Sequence, residues 1–442
     1  MAERALPQVL RALRHRNYRL FFLGQLVSLI GTWMQAVAQS WLVYRLTGST
    51  LLLGTVGFTA QIPIFLLAPF GGALADRFSR HRVIVATQVA SMLLALTLAG
   101  LTLAGRIEVW HLLVLSAALG VVNAFDVPAR QAFVVELVGR EDLPNAIALN
   151  SSMFNGARIV GPAVAGVLVA AVGEGWCFLL NGVSYVAVLG GLLRMRLAPK
   201  RASAPASASA LARMAEGFQF VARTPPVRAL LLLLGAVSLM GMPYAVLMPV
   251  FAEDILRGGS RGLGLLMGAT GVGALLGALT LAARRGLRGL GRWVAFGCAG
   301  FGAGLILFSL SRAFWLSLLL LVPVGFAMIV QMASSNTLIQ SMVPDALRGR
   351  VMAVYSMMFM GMAPFGALLA GVVAEPLGAP RTVALGGLVC IAGAAVFYAR
   401  LPKLRVQARR LIVAQQAVAG DPPAAPPLPA PRPERVKRQW TG

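Results

Sequence analysis

The sequence predicts an all-α membrane protein of twelve transmembrane helices arranged as two six-helix bundles. Three observations carry that reading. Of the 442 residues 58% are apolar and only 12% charged, with a mean hydropathy of +0.78, whereas an ordinary soluble domain is about a quarter charged. The apolar residues come in runs of about twenty, the length that crosses a hydrocarbon core of ~30 Å. The second half of the chain also repeats the first at a fixed offset. An intrinsically disordered chain is excluded, because such chains are polar and charge-rich.

Taken in order, the runs start near Leu20, Leu51, Val83, Trp110, Ala146, Gly175, Ala229, Gly262, Trp293, Phe314, Arg350 and Thr382. Sorting the Lys and Arg residues by alternate loops puts 32 of the 39 on one side and six on the other, with Arg158 alone inside a span. This positive-inside bias predicts that both termini are cytoplasmic. The same distribution argues against nucleic-acid binding. The net charge of +24 is divided among loops, not gathered on one face between base-reading groups. Cys177, Cys298 and Cys390 each sit alone in an apolar run and carry no disulfide or metal spacing. Ala36-Val37-Ala38 imitates a signal-peptidase site, but the apolar stretch continues through Trp41, Leu42 and Val43. A secretory core is only about 7–15 residues long, so an uncleaved first span is predicted.

The organisation follows from these runs. A cytoplasmic segment, 1–19, leads into a first bundle, 20–197. A linker rich in Ala, Ser, Pro and Arg, 198–226, joins it to a second bundle, 227–402. The Pro- and Ala-rich tail, 403–442, is expected to be disordered. At an offset of 205 residues Ser151 meets Ser356 and Met153-Phe154 meets Met358-Phe359. Gly156 then meets Gly361, Gly161 meets Gly366, and Ala165-Gly166 meets Ala370-Gly371. Span five therefore overlays span eleven. Parallel six-span repeats around a midplane site describe one class of secondary transporters.

Candidate site residues fall in three places. Between spans two and three, Gly72 allows close helix approach, Asp76 can meet a helix N-terminus or an arginine, and Arg77 and Arg80 hold the membrane face. Span five carries Gly156, Gly161, Pro162 and Gly166. The proline frees a backbone carbonyl and the small residues permit tight packing. Polar stripes occupy one face of span one (Gln25, Ser28, Thr32, Gln35, Gln39) and of span five (Ser151, Asn155, Arg158). A polar stripe facing lipid is costly, so this face of span one is expected to line a cavity or another helix, the cavity being the favoured reading. Eight of the 18 methionines fall between Met328 and Met362, where they can form an adaptable pocket wall or simply fill gaps.

Arg158 is a charge deep in a span and thus a functional candidate with a partner to be named. At about 1.5 Å per residue, Asp126 on span four lies within roughly 3 Å of its depth. An Asp126–Arg158 pair is expected. It is either structural or one that opens to free Arg158 for an anionic substrate and Asp126 for a proton. No Gly-Lys dipeptide exists for a P-loop, and His15, His81 and His111 lie outside any Cys or carboxylate cluster. No enzyme activity, cofactor or metal is expected. Rings of repeated charge, which would mark a channel, are missing from the spans.

The stretch Gly72-Ala73-Leu74-Ala75-Asp76-Arg77-Phe78-Ser79-Arg80 resembles the glycine-x-leucine-x-aspartate-arginine-x-glycine-arginine loop of the major facilitator superfamily, with Ser79 in place of the second glycine. Gly156 to Gly166 resembles the glycine-proline motif of its exporters and antiporters, with Ala157 and Ala165 where glycines are common. Asn123 to Phe133, together with Asn150 to Pro162, is similar to the branch containing enterobactin exporters and multidrug antiporters, and the likeness covers about residues 14–402. This resemblance implies export of a small amphipathic molecule, drug-like or siderophore-like, across a bacterial-type inner membrane. Alternating access in exchange for protons is implied, with Gly72, Asp76, Arg77 and Arg80 forming the cytoplasmic gate and no obligate protein partner. An importer or uncoupled facilitator of the same fold, or a non-transporting sensor, is the alternative.

Overall fold

The computed structural model describes residues 8–139, 141–196, 210–284 and 286–418. In lipid each backbone N–H and C=O must be satisfied within the segment, so the apolar runs form helices. The first six are α1 (Arg16–Thr47), α2 (Thr50–Arg77), α3 (Arg80–Leu103), α4 (Val109–Val138), α5 (Leu143–Val172) and α6 (Glu174–Leu193). A linker helix follows, α7 (Ala210–Arg223). The second half contains α8 (Pro225–Ile255), α9 (Gly259–Ala282), α10 (Leu290–Leu310), α11 (Phe314–Met342), α12 (Asp345–Leu377) and α13 (Ala379–Val418). All but α7 are long and apolar enough to cross a membrane. Their outer surface is apolar too, with Leu193, Phe296, Leu310 and Leu319 between 63% and 71% exposed, which suits lipid and not water.

Two helices are interrupted where proline removes a backbone donor. In α8 the α-helix stops at Ala236 and passes through a π turn (Val237–Gly241) and a 3-10 turn (Met242–Ala245) around Pro243. In α12 the helix breaks between Phe359 and Ala363, just before Pro364. The turn from α1 to α2 uses Gly48, whose φ of 61° lets its N–H close on the Tyr44 carbonyl.

Two stretches outside the predicted bundles are more ordered than expected. The tail predicted to be disordered from residue 403 is helical to Val418. Leu401, Leu404, Ala408, Leu411 and Ile412 recur at helical spacing and pack against the buried hydrophobic core. Within the 198–226 linker, α7 lies against the start of α12. Gly217 abuts the Arg350 carbonyl, and Glu216 pairs with Arg350.

The two halves share one packing plan: α1–α5, α2–α4, α3–α4 and α3–α6 in the first recur as α8–α12, α9–α11, α10–α11 and α10–α13 in the second. They meet along α5–α9 and α2–α12. A Cβ added to Gly264 would lie 2.5 Å from the Pro162 carbonyl oxygen and 2.9 Å from Gly166 Cα; one added to Gly54 would lie 2.5 Å from the Ala367 carbonyl oxygen and 2.9 Å from Gly371 Cα. These crossings are equivalent under the repeat that pairs Gly166 with Gly371. The sequence duplication is thus realised as a pseudo-two-fold interface.

Candidate functional site

The crossings lie towards the face opposite the termini, here called the distal face. Gly54 is near the start of α2 and Gly371 near the end of α12; Gly264 and Gly166 stand likewise in α9 and α5. On that face Tyr44 of α1 donates a hydrogen bond to Asp254 of α8. Thr50 Oγ1 and the Leu51 N–H donate to Glu375 Oε2 at 2.8 and 3.1 Å. Towards the termini the α5 surface opens. A Cβ at Gly156 would meet nothing within 4 Å, and Ser151, Ser152 and Phe154 are exposed.

Between these levels the halves enclose a cavity of about 310 Å³, within the range that takes a small ligand. The first half contributes Trp33, Gln61, Arg158 and Pro162 to its wall. The unwound part of α8 contributes Met242 to Val246, and α9 contributes Met267 and Thr270. Arg158 Cζ sits 5.8 Å from the centroid of the Trp33 ring, within cation–π range. Trp33 is in turn braced edge-on by Phe154 at 5.6 Å. Across the cavity Arg158 is within electrostatic reach of Tyr244. Among the described residues it has no carboxylate partner. The result is a half-buried guanidinium, presented on an aromatic plate, with its charge unneutralised.

The expected Asp126–Arg158 pair is not formed. Asp126 pairs with Arg130 one turn along α4, Oδ2 to Nε 2.6 Å, a contact that is Coulombic and not a directed hydrogen bond. Its other oxygen accepts from Thr87 Oγ1 at 2.7 Å and Gln88 Nε2 at 3.1 Å, and Arg130 also donates to Gln25 Oε1 at 3.0 Å. Equal depth did not imply facing sides, and the i,i+4 spacing of Asp126 and Arg130 was the signal that mattered. Asp126 is 3% exposed, held inside the first half by α3 and its own helix.

The polar stripe of α1 also turns inward, away from the cavity it was expected to line. Gln35 Oε1 accepts from Asn181 Nδ2 at 2.7 Å, and Gln39 Nε2 donates to Ser116 Oγ at 2.6 Å. These bonds tie α1 to α6 and α4, which satisfies the amides inside the half. Asn155 is half-buried and donates to the Ser151 carbonyl of its own helix. The glycine-proline motif divides. Gly161 packs on α1 at Trp33 and Ile30, Pro162 lines the cavity, and Gly166 makes the crossing with α9. The methionines at the cavity are Met242, Met248 and Met267, not the cluster from Met328 to Met362. Trp33, Gln61, Tyr244 and Thr270 were missed as well, because an apolar run does not reveal which of its faces meets the other half.

Gly72, Asp76 and Arg77 lie on the last turns of α2, and their side chains fall outside the described residues. Arg80 bonds Glu136 at the end of α4, Nη1 to Oε1 2.6 Å. On the same face the N-terminal turn, Gln8–Arg14, is clasped to the α4–α5 connection. Arg11, Arg14 and His15 reach Asp142 at 2.7, 2.8 and 2.7 Å, and the Ala12 N–H donates to Asn145 at 2.8 Å. The His15 hydrogen bond, then the Arg11 and Arg14 charges, hold the Asp142 carboxyl below its ordinary range against the opposing effect of burial.

The chain is 25% identical over 391 residues to the staphyloferrin A transporter of Staphylococcus aureus (strain NCTC 8325 / PS 47), covering 88% of this chain and 97% of that one. It is 27% identical to the multidrug efflux pump Tap of Mycolicibacterium fortuitum, covering 87% and 96%. With the enterobactin exporter EntS of Escherichia coli O81 (strain ED1a) it shares 27% identity, covering 77% and 81%. A crystal structure of a POT family transporter in complex with 5-aminolevulinic acid superposes with a TM-score of 0.71 at 12% identity, covering 88% of this chain and 96% of that one, and shows the shared fold. Residues 8–419 match the family described as transmembrane secretion effector: the chain is a multi-pass membrane transporter of that family, within the major facilitator superfamily.

Proposed function

We propose that the protein exports a small amphipathic anion, siderophore-like or drug-like, across a bacterial inner membrane by alternating access in exchange for protons. The observation that carries this reading is Arg158, a guanidinium on the Trp33 ring in a cavity between the two halves, without a carboxylate partner among the described residues. An unpaired charge at this depth is costly unless water or a ligand meets it. The exporter and efflux-pump relatives support the direction. With both termini cytoplasmic, as the basic loops favour, the present state is closed outwards and receives cargo from the cytoplasm. The opposite state parts α2–α12 and α5–α9 and closes the terminal face through Gly72, Asp76, Arg77 and Arg80. Asp126, with Arg130, is the coupling carboxylate of this scheme.

Efflux from proteoliposomes with a panel of anionic and neutral amphipaths tests the reading. Arg158→Ala should reduce anionic cargo far more than neutral cargo. Arg158→Lys should restore it only in part, because lysine keeps the charge but lacks the planar fork. Equal losses for both classes would remove the anion role. Flux indifferent to an imposed pH gradient would remove proton coupling, and wild-type flux in Asp76→Asn would remove the gate.

A further inference from the structure

Where α13 leaves the membrane, a second crevice of about 1060 Å³ opens on the flank of the second half, away from the midplane cavity. Its floor is apolar, formed by Leu230 of α8, Leu338 and Met342 of α11, and Phe397 and Leu401 of α13. Its rim is basic. Arg288 and Arg292 come from the α9–α10 turn and the start of α10, Arg405 and Arg409 from the helical extension. Among the described residues no Asp or Glu lines the crevice, and none of these four guanidinium groups has a carboxylate partner.

The level of the rim can be placed. At about 1.5 Å per residue, α13 has crossed a ~30 Å core by Tyr398. Tyr398 is exposed and packs against Phe296 at 5.7 Å, and Trp293 carries Arg284 over its ring at 4.9 Å. Such aromatics mark the headgroup layer. Arg288 and Arg292 therefore stand near phosphate level, Arg405 and Arg409 lie about 10 and 16 Å beyond Tyr398 along α13, and the floor at Phe397 and Leu401 is at the level where acyl chains begin. Four like charges around an apolar slot favour an occupant that is anionic at one end and apolar at the other. The chain beyond Val418 is a poor match. It carries Arg432, Arg435, Lys437 and Arg438 against Asp421 and Glu434, so it is basic like the rim.

We propose that this crevice binds an anionic phospholipid of the bilayer. Its phosphate lies among Arg288, Arg292, Arg405 and Arg409 and its chains on Leu338, Met342 and Phe397, and it pins the α13 extension to the second half. The site is independent of the cargo cavity.

The full chain, purified from nanodiscs of phosphatidylcholine with and without phosphatidylglycerol, is analysed for retained lipid by native mass spectrometry and for thermal unfolding. Phosphatidylglycerol should be retained in preference to phosphatidylcholine and should raise the unfolding temperature. Each Arg→Gln change at the rim should weaken retention about fivefold. Arg405→Lys with Arg409→Lys, which keeps the charge, should preserve most of it. Lys403→Gln, two residues before Arg405 but outside the crevice lining, should leave it unchanged. The proposal fails if the two lipids are retained equally, if the fourfold Arg→Gln variant retains phosphatidylglycerol like the unaltered chain, or if Lys403→Gln costs as much as a rim arginine. It also fails if the rim changes abolish a dimer and not a bound lipid.

Discussion

Thr50 Oγ1 donates to Glu375 Oε2 at 2.8 Å across the boundary between the halves, and the Leu51 N–H joins it at 3.1 Å. Thr50 and Leu51 open α2, so a carboxylate of the second half caps the N-terminus of a first-half helix, where unsatisfied N–H groups and the helix dipole favour negative charge. Glu375→Gln keeps the shape and removes the charge. The charge-assisted bonds become neutral ones and weaken, so the distal face should open more often. Spin labels at Arg106→Cys and Leu310→Cys, one on each half, would report longer distances in the variant; an unchanged distribution would show that Glu375 is not a latch.

The Asp126–Arg130 pairing makes a double-mutant cycle decisive. Asp126→Ala leaves a half-buried Arg130 without its counter-charge, and Arg130→Ala leaves a buried Asp126. The pair should therefore couple by about 0.5–3 kcal/mol in thermal stability, while Asp126→Ala and Arg158→Ala should add. Coupling between Asp126 and Arg158 instead would mean that the two meet in another state of the cycle.

These same residues show how far the sequence was legible. Hydropathy located all twelve spans, and the largest offset in a start is Arg350 against Asp345, because span length is set by bilayer thickness. The repeat was legible too, since Gly166 and Gly371 must be small for the same reason. Helix rotation was not. Depth along an axis can be counted from one end, but facing is decided by which neighbour the helix packs on. Arg158 therefore stands out in the sequence as an exceptional charge, while the side it faces does not. Tyr244 was invisible for a related reason: it enters the cavity only because α8 unwinds around Pro243.

The glycine crossings predict a sharp contrast between positions. Gly264→Ala and Gly54→Ala each place a methyl 2.5 Å from a backbone oxygen of the other half, where no flexible side chain can yield. Both should disfavour the distally closed state and slow transport to a similar degree, as the pseudo-symmetry requires. Gly156→Ala belongs to the same motif but meets nothing within 4 Å. It should leave transport intact and stabilise α5 by about 0.5–1 kcal/mol through helix propensity. Transport rates and unfolding temperatures of the three variants check this, and equal damage at Gly156 would show that the motif acts by some means other than packing across the halves.

The clasp at Asp142 has a defined pH signature. Its carboxyl is held below the ordinary 3.8 by the His15 hydrogen bond and by Arg11 and Arg14. A depressed carboxyl adds stability that is complete above the unfolded value and is lost only as pH falls through the lower folded one. The clasp should therefore stay closed across the neutral range and release only in acid below 3.8. Asp142→Asn should reproduce that release at neutral pH by removing the charge that Arg11, Arg14 and His15 share. Hydrogen exchange over residues 10–15 reads it directly: protection should be flat with pH in the unaltered chain and lost in the variant. Protection that survives Asp142→Asn would mean that the Ala12–Asn145 bond and apolar packing hold the segment without the ion pairs.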